Sequence, residues 1–90
     1  MSVEEAISRV SNILQKEGFS LSINEKEGKT IIKAVKGDLN IDITFDFEKK
    51  ILNKLLIANN KTPGVTILKC DAPNKIERCV KKLSEFLSNL

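Results

Sequence analysis

The stretch TIIKAVKGDLNIDITFDF, residues 30–47, decides how this chain folds. Gly37 and Asp38 suit a two-residue type II′ turn, whose first central position requires positive φ, the conformation glycine adopts without penalty. The turn sets Lys36 opposite Leu39. Counting outward, Ala34 faces Ile41, Ile32 faces Ile43 and Thr30 faces Phe45, all on one side. The other side then matches Lys33 with Asp42 and Lys29 with Asp46. Opposite charges placed so contribute about 0.2–1 kcal/mol per pair, less where exposed. A slip of one residue would turn Asp42 and Asp46 into the apolar face, which fixes the register more firmly than any single contact.

Reading toward the N-terminus, Phe19, Leu21 and Ile23 alternate with Ser20, Ser22 and Asn24, the pattern of a strand with one buried face. Glu25 to Gly28 fits a four-residue loop that places Ile23 opposite Thr30 and Leu21 opposite Ile32, so two turns agree on which face is buried. Ahead of this strand, Ser2 and Glu5 form a capping-box pattern. Val3, Ala6, Ile7, Val10, Ile13 and Leu14 follow at helical spacing until Gly18, a natural helix terminator.

Reading toward the C-terminus, Ile51, Asn53, Leu55 and Ile57 can alternate as a strand facing the core, while Ile51, Leu52, Leu55 and Leu56 also share one helical face. The strand is favoured because residues 59–64, with Pro63 and Gly64, resemble a hairpin loop. Val65 to Cys70 is then a fifth strand. Asp71 and Asn74 offer N-cap chemistry near Pro73, and Ile76, Val80, Leu83, Leu87 and Leu90 form the buried seam of a last helix, flanked by Cys79 and Phe86. The expected fold is therefore α+β: a helix, an antiparallel meander of four to five strands, and a helix, with both helices on one face of the sheet.

At 90 residues the chain makes one domain spanning 1–90, which buries about 60–65% of its unfolded surface. No apolar run approaches the roughly 18 residues of a membrane span, and the acidic start Met1 to Glu5 lacks the pattern of a signal peptide. The expected compartment is cytoplasmic. Cys70 and Cys79 are too few and too far apart for a metal knuckle or a redox CxxC pair; they read as small buried hydrophobes, with a disulfide as the alternative. The net charge of +3 is uneven: residues 1–48 carry 6 basic and 9 acidic groups, residues 49–90 carry 9 and 3. The C-terminal half thus has the basic surface.

No histidine is present, so the usual general base and the commonest metal ligand are missing. Asp38, Asp42 and Asp46 share a strand face with Asn40 and Thr44, an arrangement that resembles a metal ladder. However, Asp42 and Asp46 lie four strand residues apart, about 13 Å, and each faces a lysine, so a solvated face is the better reading. Neither cysteine has a histidine to generate a thiolate, the serines lack a GxSxG turn, and the glycines stand singly with no phosphate-cradling motif. The chain is expected to be no enzyme and to need no cofactor or metal.

Two functions fit what is left. One is a small interaction module, a homodimer or the subunit of a protein complex, associating through an apolar patch on the late strands. Its interface would be Leu52, Leu56 and Ala58, rimmed by Lys54 and Lys69, with Val65 and Ile67 or Thr66 and Leu68 added according to register. The other is nucleic-acid binding, with phosphate contacts from Lys49, Lys50, Lys54, Lys61, Lys69, Lys75, Arg78 and Lys82. All four aromatic residues, Phe19, Phe45, Phe47 and Phe86, are expected to face the core. That leaves no stacking platform for single strands.

Overall fold

The computed structural model describes residues 1–70 and 73–89, and Asp71 and Leu90, expected as a cap and a seam residue, lie outside this set. The chain runs α1 (Val3–Lys16), β1 (Ser20–Lys26), β2 (Lys29–Lys36), β3 (Leu39–Asp46), β4 (Ile51–Asn59), β5 (Thr62–Lys69) and α2 (Ile76–Ser88), with a 3₁₀ turn at Pro73–Lys75 before the last helix. The five strands form one antiparallel sheet in the order β1-β2-β3-β4-β5. Both helices cover the same face.

The central hairpin has the register its side chains dictate. Lys36 pairs with Leu39, Ala34 with Ile41, Ile32 with Ile43 and Thr30 with Phe45, while Lys33 pairs with Asp42 and Lys29 with Asp46. Gly37 takes φ 58° and Asp38 keeps negative φ, as a type II′ turn requires. Ile32, Ala34, Ile41, Ile43 and Phe45 are essentially inaccessible to solvent. They form the floor on which the helices lie.

Helix α1 begins where Ser2 Oγ accepts a hydrogen bond from the Glu5 amide (3.1 Å), the capping contact expected of that spacing. It ends in a Schellman arrangement: Gly18, at φ 88°, donates to the Gln15 carbonyl and Phe19 donates to that of Leu14, each at 3.0 Å. Lys36 Nζ then donates to the Glu17 carbonyl (2.6 Å) and lies 5.8 Å from the centre of the Phe19 ring. The last carbonyls of α1 are thereby anchored to the end of β2. Val3, Ala6, Val10 and Leu14 point to the sheet, and Ile76, Cys79, Val80, Leu83 and Leu87 do the same from α2. The last helix starts from Lys75 without a side-chain cap, so Asn74 does not serve as its N-cap.

Three local details depart from the sequence reading. First, β1 and β2 are joined by a two-residue turn at Glu27 and Gly28, both at positive φ (52° and 74°), instead of a four-residue loop. This type I′ turn pairs Lys26 with Lys29, so Ile23 faces Ile32 and Leu21 faces Ala34, two residues from the expected register but on the same side. Second, β4 carries a bulge. Leu55 pairs with Ile43, Lys54 with Thr44, and then Leu52 with Phe45, leaving Asn53 as the extra residue. Third, Cys70 and Cys79 are joined by a disulfide across a Cα–Cα distance of 6.2 Å, where two separate buried thiols were favoured. The bond ties the residue after β5 to the second turn of α2.

Opposite ends of the sheet are closed by different means. At one end the Asn60 amide donates to the Asp38 carbonyl (2.8 Å), Asn40 Nδ2 donates to Asn60 Oδ1 (3.0 Å), and Lys61 forms an ion pair with Asp38 (3.4 Å). The β2–β3 and β4–β5 turns are therefore one knot. At the other end the Phe47 amide donates to the Gly28 carbonyl (3.0 Å), and Asp46 Oδ1 accepts from the Lys49 amide (3.0 Å).

Two stability changes are expected. The disulfide closes a loop of sequence separation 9. Chain-entropy arguments then give a loss of about 2.5 kcal/mol when it is reduced or when Cys79→Ser is introduced, read as a shift in urea midpoint with and without reductant. Glu27→Asn places the favoured Asn-Gly pair in the type I′ turn and relieves a left-handed glutamate. It should stabilise the fold by about 0.5–1 kcal/mol in thermal or urea melts.

Candidate protein-interaction surface

Pairing down the sheet puts the face away from the helices into rows. One row reads Ser20, Val35, Asn40, Ala58, Val65; the next reads Ser22, Lys33, Asp42, Leu56, Ile67; a third reads Asn24, Ile31, Thr44, Lys54, with residue 69 after it. Such an uncovered face is normally polar. Strand β3 obeys this rule with Asn40, Asp42 and Thr44. Strands β4 and β5 do not: Ala58 faces Val65 and Leu56 faces Ile67, a contiguous square of four apolar side chains at one corner of the sheet.

Val65 is 56% exposed and Ile67 51% exposed, while Leu56 and Ala58 are half-buried beneath their neighbours. Val35, also on this face at 45%, is separated from the square by Asn40. Ile23 is 50% exposed but belongs to the helix side, at the β1 edge where the helices no longer reach. The corner on β4 and β5 is therefore where exposed apolar surface is continuous.

The predicted interface residues separate in the structure. Leu56 and Ala58 lie on the outer face as expected, with exposed Lys54 in the next row. Leu52 does not: it is fully buried among the core side chains, because the bulge at Asn53 turns it to the side of Leu55. A strictly alternating strand would have put Asn53 against the helices, where its amide would be buried among apolar groups. Leu-Asn-Lys-Leu, with two polar residues between two apolar ones, was the available signal for the bulge. Lys69 is paired with Lys54 through the backbone, and its side chain lies outside the described residues. The register selects Val65 and Ile67, and not Thr66 and Leu68, for the outer face.

The cations proposed for phosphate contact do not converge. Lys49 and Lys50 precede β4 and Lys61 follows it, so they sit about 30 Å apart along a nine-residue strand. Lys61 is engaged with Asp38. Lys75, Arg78 and Lys82 belong to the helical layer, on the far side of the sheet from Lys54.

The acidic row is equally unsuited to a ligand. Asp46 is 5% exposed and holds the β3–β4 turn, so it is not part of a solvated face as the sequence suggested. Lys33 and Lys29 are register neighbours of Asp42 and Asp46, but among the described residues the ion pair that closes is Lys61 to Asp38. No group of three acidic or cysteine side chains among them gathers to hold a metal ion, and no helix among them is long and apolar enough to cross a membrane. Compared with protein-family models, curated proteins and solved structures, the chain finds no match.

The division between Leu52 and Leu56 can be measured. Leu52→Ala removes a side chain with no exposed surface and should cost about 2–5 kcal/mol. Leu56→Ala, on the half-covered outer face, should cost well under half as much in the same denaturation experiment.

Proposed function

We propose that this domain is a non-catalytic interaction module that associates with another protein, or with itself, through the apolar corner made by Leu56, Ala58, Val65 and Ile67. One observation carries the reading: beside β3, which turns only polar residues to the open face, β4 and β5 place Leu56, Ala58, Val65 and Ile67 next to one another at an edge, with Val65 and Ile67 exposed. Exposed patches of this kind mark association sites in soluble domains when they are continuous, whereas single exposed side chains need no explanation. Asp42 beside Leu56 on β3 and Lys54 in the next row of β4 supply a charged rim.

Ile67→Glu places a charge in the middle of the corner without touching the buried floor. The fold should survive, with an unchanged circular dichroism spectrum, and binding of a hydrophobic dye and any association seen by light scattering should fall several-fold. Dye binding and association equal to those of the original chain would remove the corner from the reading.

A further inference from the structure

We propose that the Cys70–Cys79 disulfide is a redox latch on α2: a dithiol reductant reaches the bond only when the first turns of the helix lift from the sheet, and reduction in turn favours the lifted state. The latch acts on the helix side of the sheet and is independent of the apolar corner.

The two helices are held in unlike ways. Helix α1 has the Ser2 cap at its start, and at its end the turn through Gly18 and Phe19 and the Lys36 Nζ bond to the Glu17 carbonyl tie it to β1 and β2. Helix α2 lacks such ties. Its first amides have no side-chain cap, and its terminal side-chain bonds, Ser88 to the Ser84 carbonyl and Asn89 to that of Glu85, stay within the helix. Among the described residues no hydrogen bond or ion pair joins α2 to α1 or to the sheet. It is held by the apolar seam of Ile76, Val80, Leu83 and Leu87 and by the disulfide from its second turn to the end of β5. Uncapped helix ends are where fraying starts, and the bond sits at that end.

Burial decides how the bond is reached. Cys70 has no exposed surface and Cys79 is 5% exposed, so the docked helix keeps a thiol away from both sulfurs. Lifting residues 76–79 uncovers Cys79. One thiolate of the dithiol then attacks Cys79 Sγ and forms a mixed disulfide, while Cys70 leaves as a thiolate and takes a proton from water. The second thiol of the reductant gives up its proton, closes on the mixed disulfide and releases Cys79 as the other thiol. Two electrons and two protons pass to the protein, and the reductant departs as a cyclic disulfide.

Chain entropy supplies the reverse effect. With the bond closed, the loop between Cys70 and Cys79 restricts the conformations open to a lifted helix; with the bond reduced that freedom returns, and the lifted population rises on the order of 50-fold. The helix and the 3₁₀ turn before it lie against β4, whose inner residues Leu52, Leu55 and Ile57 are buried. Reduction therefore uncovers apolar surface on the side of the sheet opposite the corner, and oxidation covers it again. Cys70 and Cys79 are the only cysteines of the chain, so docking of α2 brings back the same pair and no other pairing within the chain competes.

The test has two arms. In excess dithiothreitol, amide exchange at residues 76–83 of the unmodified chain should quicken on the order of 50-fold over the oxidised protein. It should also run about ten-fold or more ahead of residues 41–45 in the same sample, with little dependence on low urea, as local opening requires. Exchange at 76–83 and 41–45 that converges on one rate and one urea dependence would mean that the bond staples the whole domain, and overturns the latch. In the second arm the rate of reduction is followed by trapping the released thiols. Lys82→Gly weakens α2 at an exposed position and should speed reduction about five-fold, whereas Leu56→Ala, on the far face of the sheet, should leave it within about two-fold. An unchanged rate in Lys82→Gly places the bond within reach of thiols in the docked protein and overturns the gating. Equal acceleration in both variants routes reduction through unfolding of the whole domain and overturns it as well.

Discussion

The inner row of the β2–β3 hairpin is the constraint on which the remaining structure rests. Thr30, Ile32 and Ala34 are aligned with Phe45, Ile43 and Ile41, and with Leu52, Leu55 and Ile57 of β4 they make the apolar floor that receives two amphipathic helices. Everything else is positioned relative to it. Lys36, at the turn end of the same strand, holds the C-terminus of α1, and Asp38, within the turn, holds the β4–β5 loop through its carbonyl and its carboxylate. A one-residue slip would therefore lose the floor, the α1 anchor and the loop knot at once, which is why the register is so strongly specified.

The parts of the fold legible in the sequence are those where local chemistry and long-range pairing demand the same arrangement. The hairpin satisfies this through Gly37, the apolar row and the charged row, and α1 satisfies it through Ser2, Glu5 and Gly18. What was misread involves one residue acting against its own propensity. Glu27 sits in the left-handed region, which glutamate does not favour, so a longer loop looked better; the tertiary gain is that Ile23 meets Ile32, and the Gly28 carbonyl receives the Phe47 amide. Asn53 leaves the ladder so that Leu52 and Leu55 can both reach the core, a choice visible only when the cost of burying Asn53 is weighed against keeping strict alternation. The disulfide depends on a Cα–Cα distance set by the docking of α2, which the spacing of two cysteines does not contain.

The candidate surface was half legible for the same reason. Leu56 and Ala58 follow from alternation beyond the bulge, whereas Leu52 required knowing where the bulge falls. The choice between Val65 and Thr66 required the register across the β4–β5 loop, where Pro63 and Gly64 add unpaired residues. The basic half of the chain illustrates the reverse error: charges that cluster in sequence are distributed by a meander between opposite strand ends and opposite layers. Charge density along a chain is a poor guide to charge density on a sheet.

A sheet with both helices on one face leaves the other free, and stability makes few demands on the side chains that point there. Strand propensity alone would be met at 65 and 67 by threonine, which is already used at Thr44 on the same face and at Thr66 between them. The inner side of β4 needs Leu52, Leu55 and Ile57, but nothing beneath the helices needs Leu56 or Ala58 to be apolar. Four apolar residues therefore occupy positions where the fold would accept polar ones, and two of them, Val65 and Ile67, lie on an edge strand. Exposed apolar surface of this kind carries a cost in unwanted association. Its continuity across β4 and β5 makes most physical sense if association there is what the surface is for.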